Sequence, residues 1–101
     1  MWRQGDLLIR KATARPHNAF IPVRDGVVLR GDTSGHAHRL QGGLLETAEF
    51  PRNAIWFATV GEDGAVLSHE EHGPIELEVG NYIITRQREY IGDGDWSDVE
   101  D

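Results

Sequence analysis

The chain has 101 residues, 10 Lys plus Arg against 17 Asp plus Glu, a formal net charge of -7 and no cysteine. That length accommodates one small domain, since domains typically run to about 100–150 residues. The missing cysteines exclude a disulfide framework, a thiolate zinc finger, an iron–sulfur cluster and a thiol nucleophile. The excess of acid argues against non-specific nucleic-acid binding, which relies on Lys and Arg to neutralise phosphates.

The apolar segments are short and rich in β-branched and aromatic residues, with Gly, Asp, Asn or Pro recurring roughly every 8–12 residues, the spacing of an all-β domain. In chain order, strands are expected over residues 6–10, 19–23, 26–30, 36–40, 44–50, 54–60, 65–69, 74–79 and 82–88. Arg24-Asp25-Gly26 and Glu62-Asp63-Gly64 read as hairpin turns, because the left-handed backbone of type I′ turns suits Gly, and both predict antiparallel pairing of their flanks. Val79-Gly80-Asn81 reads as a third tight turn. No segment carries a sustained i, i+3, i+4 apolar stripe, so no major helix is expected. The fold class is therefore a small antiparallel barrel or sandwich of cupin-like or SH3-like size, with a β-domain over residues 1–91.

Residues 92–101 form a different segment. Asp93, Asp95, Asp98, Glu100 and Asp101 fall there without a single base, which leaves 12 of the 17 acids against all 10 bases in residues 1–91. The body is nearly neutral, and the acidic tail is expected to be flexible. Trp96 within it is the candidate anchor for a basic protein partner.

Four of the five histidines stand in two close pairs, His36-Ala37-His38 and His69-Glu70-Glu71-His72. Residues i and i+2 of a strand share a face, so His36 and His38 present two imidazoles together. His69 and His72 converge if a turn follows residue 69, with Glu70 or Glu71 as a nearby carboxylate. Imidazole and carboxylate suit Zn, Ni, Mn or Fe alike. With an open coordination position the metal would support a hydrolytic reaction, and Glu70 or Glu71 would be its general base. Surface histidines near turns account for the same spacing. His17, in Arg15-Pro16-His17-Asn18, reads as a loop residue.

Other chemistries find less support in these residues. Ser34 and Ser68 neighbour histidines, but neither sits in a Gly-x-Ser-x-Gly elbow. A His-x-His nuclease with Tyr90 as nucleophile lacks a lysine after the tyrosine, Lys11 being the only lysine in the chain. Gly31-Asp32-Thr33-Ser34-Gly35 has the composition of an anion loop without the P-loop lysine. Arg86 and Arg88 share a strand face and either grip an anion or form a salt-bridge ladder with Glu76 and Glu78, the ladder being the expected arrangement.

The pattern Arg3-Gln4-Gly5-Asp6-Leu7-Leu8, Gly35-His36-Ala37-His38, His69-Glu70-Glu71-His72-Gly73-Pro74-Ile75, Gly80-x-Tyr82 and Gln87-Arg88-Glu89-Tyr90 resembles a group of small uncharacterised bacterial and phage proteins. No activity follows from that likeness. A more distant, partial resemblance is to cupins, whose metal is held by a His-x-His pair and a later histidine. It implies His36 and His38 as the first two ligands and His69 or His72 as the third. The cupin glutamate has no counterpart at the expected distance, Glu46 lying eight positions after His38. No segment approaches the roughly 20 apolar residues of a membrane span. No basic stretch and long apolar run mark a secretion signal. The expected setting is cytoplasmic, or a virion if phage-encoded. The alternative to a metal protein is a non-enzymatic interaction module, for which a homo-oligomer through an edge strand is compatible.

Overall fold

The computed structural model describes residues 1–15, 20–30, 37–49, 54–86, 88–91 and 95–98. Its strands are Trp2–Gln4 (β1), Leu7–Ala12 (β2), Ile21–Pro22 (β3), Val27–Arg30 (β4), Ala37–Gln41 (β5), Leu44–Glu49 (β6), Ala54–Val60 (β7), Ala65–Ser68 (β8), Ile75–Leu77 (β9), Gly80–Arg86 (β10), Arg88–Ile91 (β11) and Asp95–Asp98 (β12). They form a six-stranded sheet in the order β1-β2-β10-β7-β6-β3, a four-stranded sheet in the order β4-β5-β8-β9, and the pair β11-β12. Every pairing among the described residues is antiparallel. The all-β class read from the sequence is the class observed.

Alternation explains the core. In β10, Tyr82 and Ile84 are buried while Ile83 between them is half-buried, and the register sets Ile84 opposite Ile9 and Trp56, and Tyr82 opposite Ala58. These residues pack with Leu7 and Leu45 against Val28, Leu40, Ala65, Leu67 and Leu77 of the smaller sheet. Fully burying a Leu or Ile side chain is worth about 1.5–3 kcal/mol, so this two-sheet contact is the main source of stability. The Tyr82 hydroxyl donates to the Glu78 carbonyl at 2.8 Å, and Trp2 meets its ring edge-on at 5.7 Å. The one polar atom of the largest fully buried side chain among the described residues is thereby satisfied.

The turns expected at Gly26 and Gly64 form, yet they do not make hairpins, and the third, expected over residues 79–81, does not form there because Gly80 and Asn81 already belong to β10. Asp25 Oδ1 accepts the Val27 amide hydrogen at 3.0 Å, but β3 before the turn belongs to the large sheet and β4 after it to the small one. The Glu62-Asp63-Gly64 turn likewise carries the chain from β7 to β8, from one sheet to the other, as does the 78–79 link from β9 to β10. The corners are tight. A Cβ on Gly42, whose φ is +86°, would lie 2.9 Å from the Gly64 carbonyl oxygen, so two successive corners pack backbone against backbone where no larger residue fits.

The last corner also overturns the expected ladder between Glu76, Glu78 and Arg86, because β9 and β10 lie in different sheets. Glu78 instead pairs with Lys11 at 2.7 Å, and Arg86 turns to Asp6. Two further elements were not expected: β1, and β12 in the acidic segment, whose pairing with β11 sets Trp96 opposite Tyr90 and Asp98 opposite Arg88.

Candidate histidine and carboxylate site

The site begins at a two-residue hairpin tip. Gly5, at φ +58°, lets the chain reverse between Gln4 and Leu7, and the tip carries Gln4 and Asp6 into the interior, each 2% exposed. The β2-β10 register sets Arg86 opposite Leu7, beside the tip, and Arg86 Nε donates to Asp6 Oδ2 at 2.6 Å. A buried carboxylate is costly unless paired and hydrogen-bonded, and the guanidinium supplies that partner. Asp6 Oδ1 points toward His38, with Nε2 at 3.5 Å.

His38 comes from the facing sheet. The register between β4 and β5 shifts between Val27 and Leu29, and both Ala37 and His38 are buried where strict alternation would expose one of them. The His38 side chain is 1% exposed. Its tautomer follows from Gln4. Gln4 Nε2 donates to the Leu67 carbonyl at 2.8 Å and the Gly73 carbonyl at 2.9 Å, which turns Oε1 toward His38 Nδ1 at 2.9 Å. An amide oxygen only accepts, so Nδ1 carries a hydrogen and Nε2 is the nitrogen facing Asp6.

The 69–74 link between β8 and β9 supplies two more rings. Pairing of β5 with β8 sets Arg39 opposite Ser68, and the next residue, His69, falls alongside His38. Ring centroids of His38 and His69 are 4.4 Å apart, those of His69 and His72 4.6 Å, and the outer two rings are near-parallel at 6.4 Å. The three imidazoles thus form a short stack with His69 in the middle. His69 Nδ1 accepts the backbone hydrogens of Glu71 at 3.0 Å and His72 at 3.3 Å, so a neutral His69 carries its own hydrogen on Nε2. The Nε2 atoms of His69 and His72 are both shielded from solvent.

Glu70 Oε2 accepts the Ala37 amide hydrogen at 2.9 Å, which ties the link to the start of β5. Glu71 is exposed. A surface hollow of about 250 Å³, lined by Ala37, Arg39, Gln41, Ser68, His69 and Glu70, opens the middle ring of the stack to solution.

Of the residues singled out from sequence, the fold brings His38, His69 and His72 together, with Glu70 adjoining. His36 and His17 lie outside the described residues. Sequence reasoning missed Gln4 and Asp6 as site residues and gave Arg86 other partners. The only available signal was a Gly between two polar residues just ahead of the apolar run Leu7-Leu8-Ile9. Among the described residues no three His, Asp or Glu side chains are already disposed around one point as metal ligands.

A two-sheet antiparallel domain with a buried polar network at one end is the class that fold and site define. The chain belongs to the domain of unknown function DUF8820, which it matches over residues 3–87. No curated protein and no solved structure matches it.

Proposed function

We propose that this domain binds one divalent transition-metal ion, Zn, Ni, Mn or Fe, at the histidine stack. The observation that carries this reading is the gathering of His38, His69 and His72, distant in sequence, within 6.4 Å beside a buried carboxylate. Imidazole and carboxylate are the donors such ions take, and the cupin likeness implies His38 beside His36, with His69 or His72 as the third ligand. The stack as it stands is looser than a ligand set, so binding has to draw the 69–74 link inward. That link is the mobile partner in the proposal, because His38 is held on a strand.

Titration of tag-free protein with each ion tests it. One ion bound per chain and a raised melting temperature are expected; at a hundredfold excess over Kd the gain is about 2.7 kcal/mol. An unchanged melting temperature with every ion, together with no stoichiometric metal, sinks the proposal.

A second reading, a protein-interaction module, is favoured by one surface. Ile21 on the end strand β3 and Leu44 on the adjacent β6 are 68% and 52% exposed, and apolar side chains at a sheet edge are what a second copy covers. Light scattering should show a dimer that Ile21→Lys converts to a monomer. A monomeric unsubstituted chain removes this support.

A further inference from the structure

Independently of the histidine stack and of the β3 edge, we infer that β9 takes up a strand from a partner protein, an extended segment in which Lys or Arg alternates with apolar residues. The edge itself is the first argument. β9 ends the four-stranded sheet and β1 ends the six-stranded one, and among the described residues no strand pairs with the outer side of either. Unpaired backbone groups along such an edge are a template for another chain. The two edges adjoin. At one end Gln4 of β1 stitches them together, its Nε2 donating to the carbonyls of Leu67 on β8 and of Gly73 ahead of β9. Toward the other end they part around a hollow of about 810 Å³, whose lining includes Trp2, Asp63, Val66, Glu76, Leu77 and Glu78. That volume lies within the range of about 300–1,000 Å³ in which pockets bury a ligand.

Side chains fix the chemistry of the incoming strand. In β9 Leu77 is buried, Ile75 half-buried and Glu76 between them exposed. A strand laid beside β9 sets one residue opposite Glu76 on the wet side and that residue's two neighbours on the side of Leu77. The register puts Glu76 in a crosswise row with Val66 and Gln41, so the new side chain extends that row, while its neighbours meet Leu77 and the half-buried Trp2. The carboxylates choose the charge. Glu78 holds Lys11 at 2.7 Å, whereas Asp63 and Glu76 are exposed and have no hydrogen-bond or ion-pair partner among the described residues. No Lys or Arg lines the hollow, so it keeps uncompensated negative charge. Opposite charges directly across a strand pair stabilise the pairing and like charges oppose it, which makes Lys or Arg the residue to stand opposite Glu76. An indole beside carboxylates also suits a cation on an apolar stem. The chain's own acidic residues 92–101 have the wrong sign for this place.

Two short capped peptides are the probes, one alternating valine with lysine and its counterpart alternating valine with glutamate. Titrated into the full chain, the lysine peptide should bind, slow the hydrogen exchange of β9 amides, and change the tryptophan fluorescence in a way that Trp2→Phe removes. The glutamate peptide should bind at least roughly tenfold more weakly, the scale of turning attractive cross-strand pairs into repulsive ones. Glu76→Lys should reverse that preference, and because Glu76 is exposed the exchange of charge leaves the core untouched. Binding of neither peptide overturns the inference, as does equal binding of both. Lysine-peptide affinity that Glu76→Lys leaves unchanged places the contact elsewhere and overturns it too. The unsubstituted chain supplies a readout that needs no variant: β9 amides that exchange as fast with the lysine peptide as without it exclude strand addition, whatever the order of affinities. None of these measurements involves the histidine stack, so the metal reading stands or falls separately.

Discussion

Among the described residues two carboxylates lie buried, and each faces an arginine, but they are held differently. Glu46 on β6 receives both terminal nitrogens of Arg15, one of them at 2.8 Å, and the guanidinium also lies over the rings of Phe20 and Phe57 at 5.2 and 5.7 Å. One arginine engages both oxygens of that group, a two-point contact capped by aromatic faces. Asp6 divides its oxygens, Oδ2 to Arg86 and Oδ1 toward His38. The difference separates a carboxylate held by one arginine fork from a carboxylate shared between two partners.

The largest effect should come from removing the divided carboxylate. Asp6→Ala strips the partner from Arg86 and from the His38 ring inside the core, and breaking a buried pair costs about 3–5 kcal/mol. Urea unfolding followed by tryptophan fluorescence measures it. Glu46→Gln keeps the volume and most hydrogen-bonding capacity and should cost less, roughly 1–3 kcal/mol for a charge-assisted contact. If Glu46→Gln proves the more damaging of the two, the comparison fails, because the peripheral pair would then be the keystone.

Acid should separate the pairs as well. The Arg15 hydrogen bond holds the Glu46 carboxyl below its ordinary value of 4.5, with burial working against it and the Arg15 charge adding to it. A carboxylate whose value is lowered by folding contributes stability above its unfolded value, and that contribution is lost as pH falls through the lowered folded one. Stability from this pair is therefore complete above about pH 4.5 and declines below it. Arg15→Met should flatten that decline in melting temperature between neutral and acid pH. A decline of unchanged steepness would assign the acid sensitivity to other groups.

How much of this was legible beforehand can be judged at particular residues. The β class was, because alternation as at Tyr82-Ile83-Ile84 and the regular return of glycine are local signals. The turns at Gly26 and Gly64 were legible too, since a positive φ belongs to the glycine itself. Which strands those turns join was not. The same left-handed residue reverses a chain within a sheet or carries it across a corner, and the choice depends on which distant strands need covering. Three histidines of the stack could be named from spacing, but Asp6 and Arg86, 80 residues apart, meet only through the β2-β10 register. Long-range pairing leaves no mark on local composition, which is why the salt bridges were assigned to the wrong partners.

The smallest effect belongs to the pair that replaced the expected ladder. Lys11 Nζ donates to Glu78 Oε1 at 2.7 Å, with the two side chains 53% and 74% exposed. The contact raises the lysine above its ordinary value and lowers the glutamate, each through the same hydrogen bond first and its charge second. In water that mutual preference is offset by the entropy of fixing two long side chains, and salt screens the rest. Lys11→Gln should therefore leave the melting temperature unchanged within error at physiological salt, while Asp6→Ala under the same conditions lowers it sharply. The three ion pairs then rank by how far solvent is kept from them, and not by their lengths, which all fall within hydrogen-bonding range. A marked loss from Lys11→Gln would show that the short contact, not burial, sets the value of these pairs.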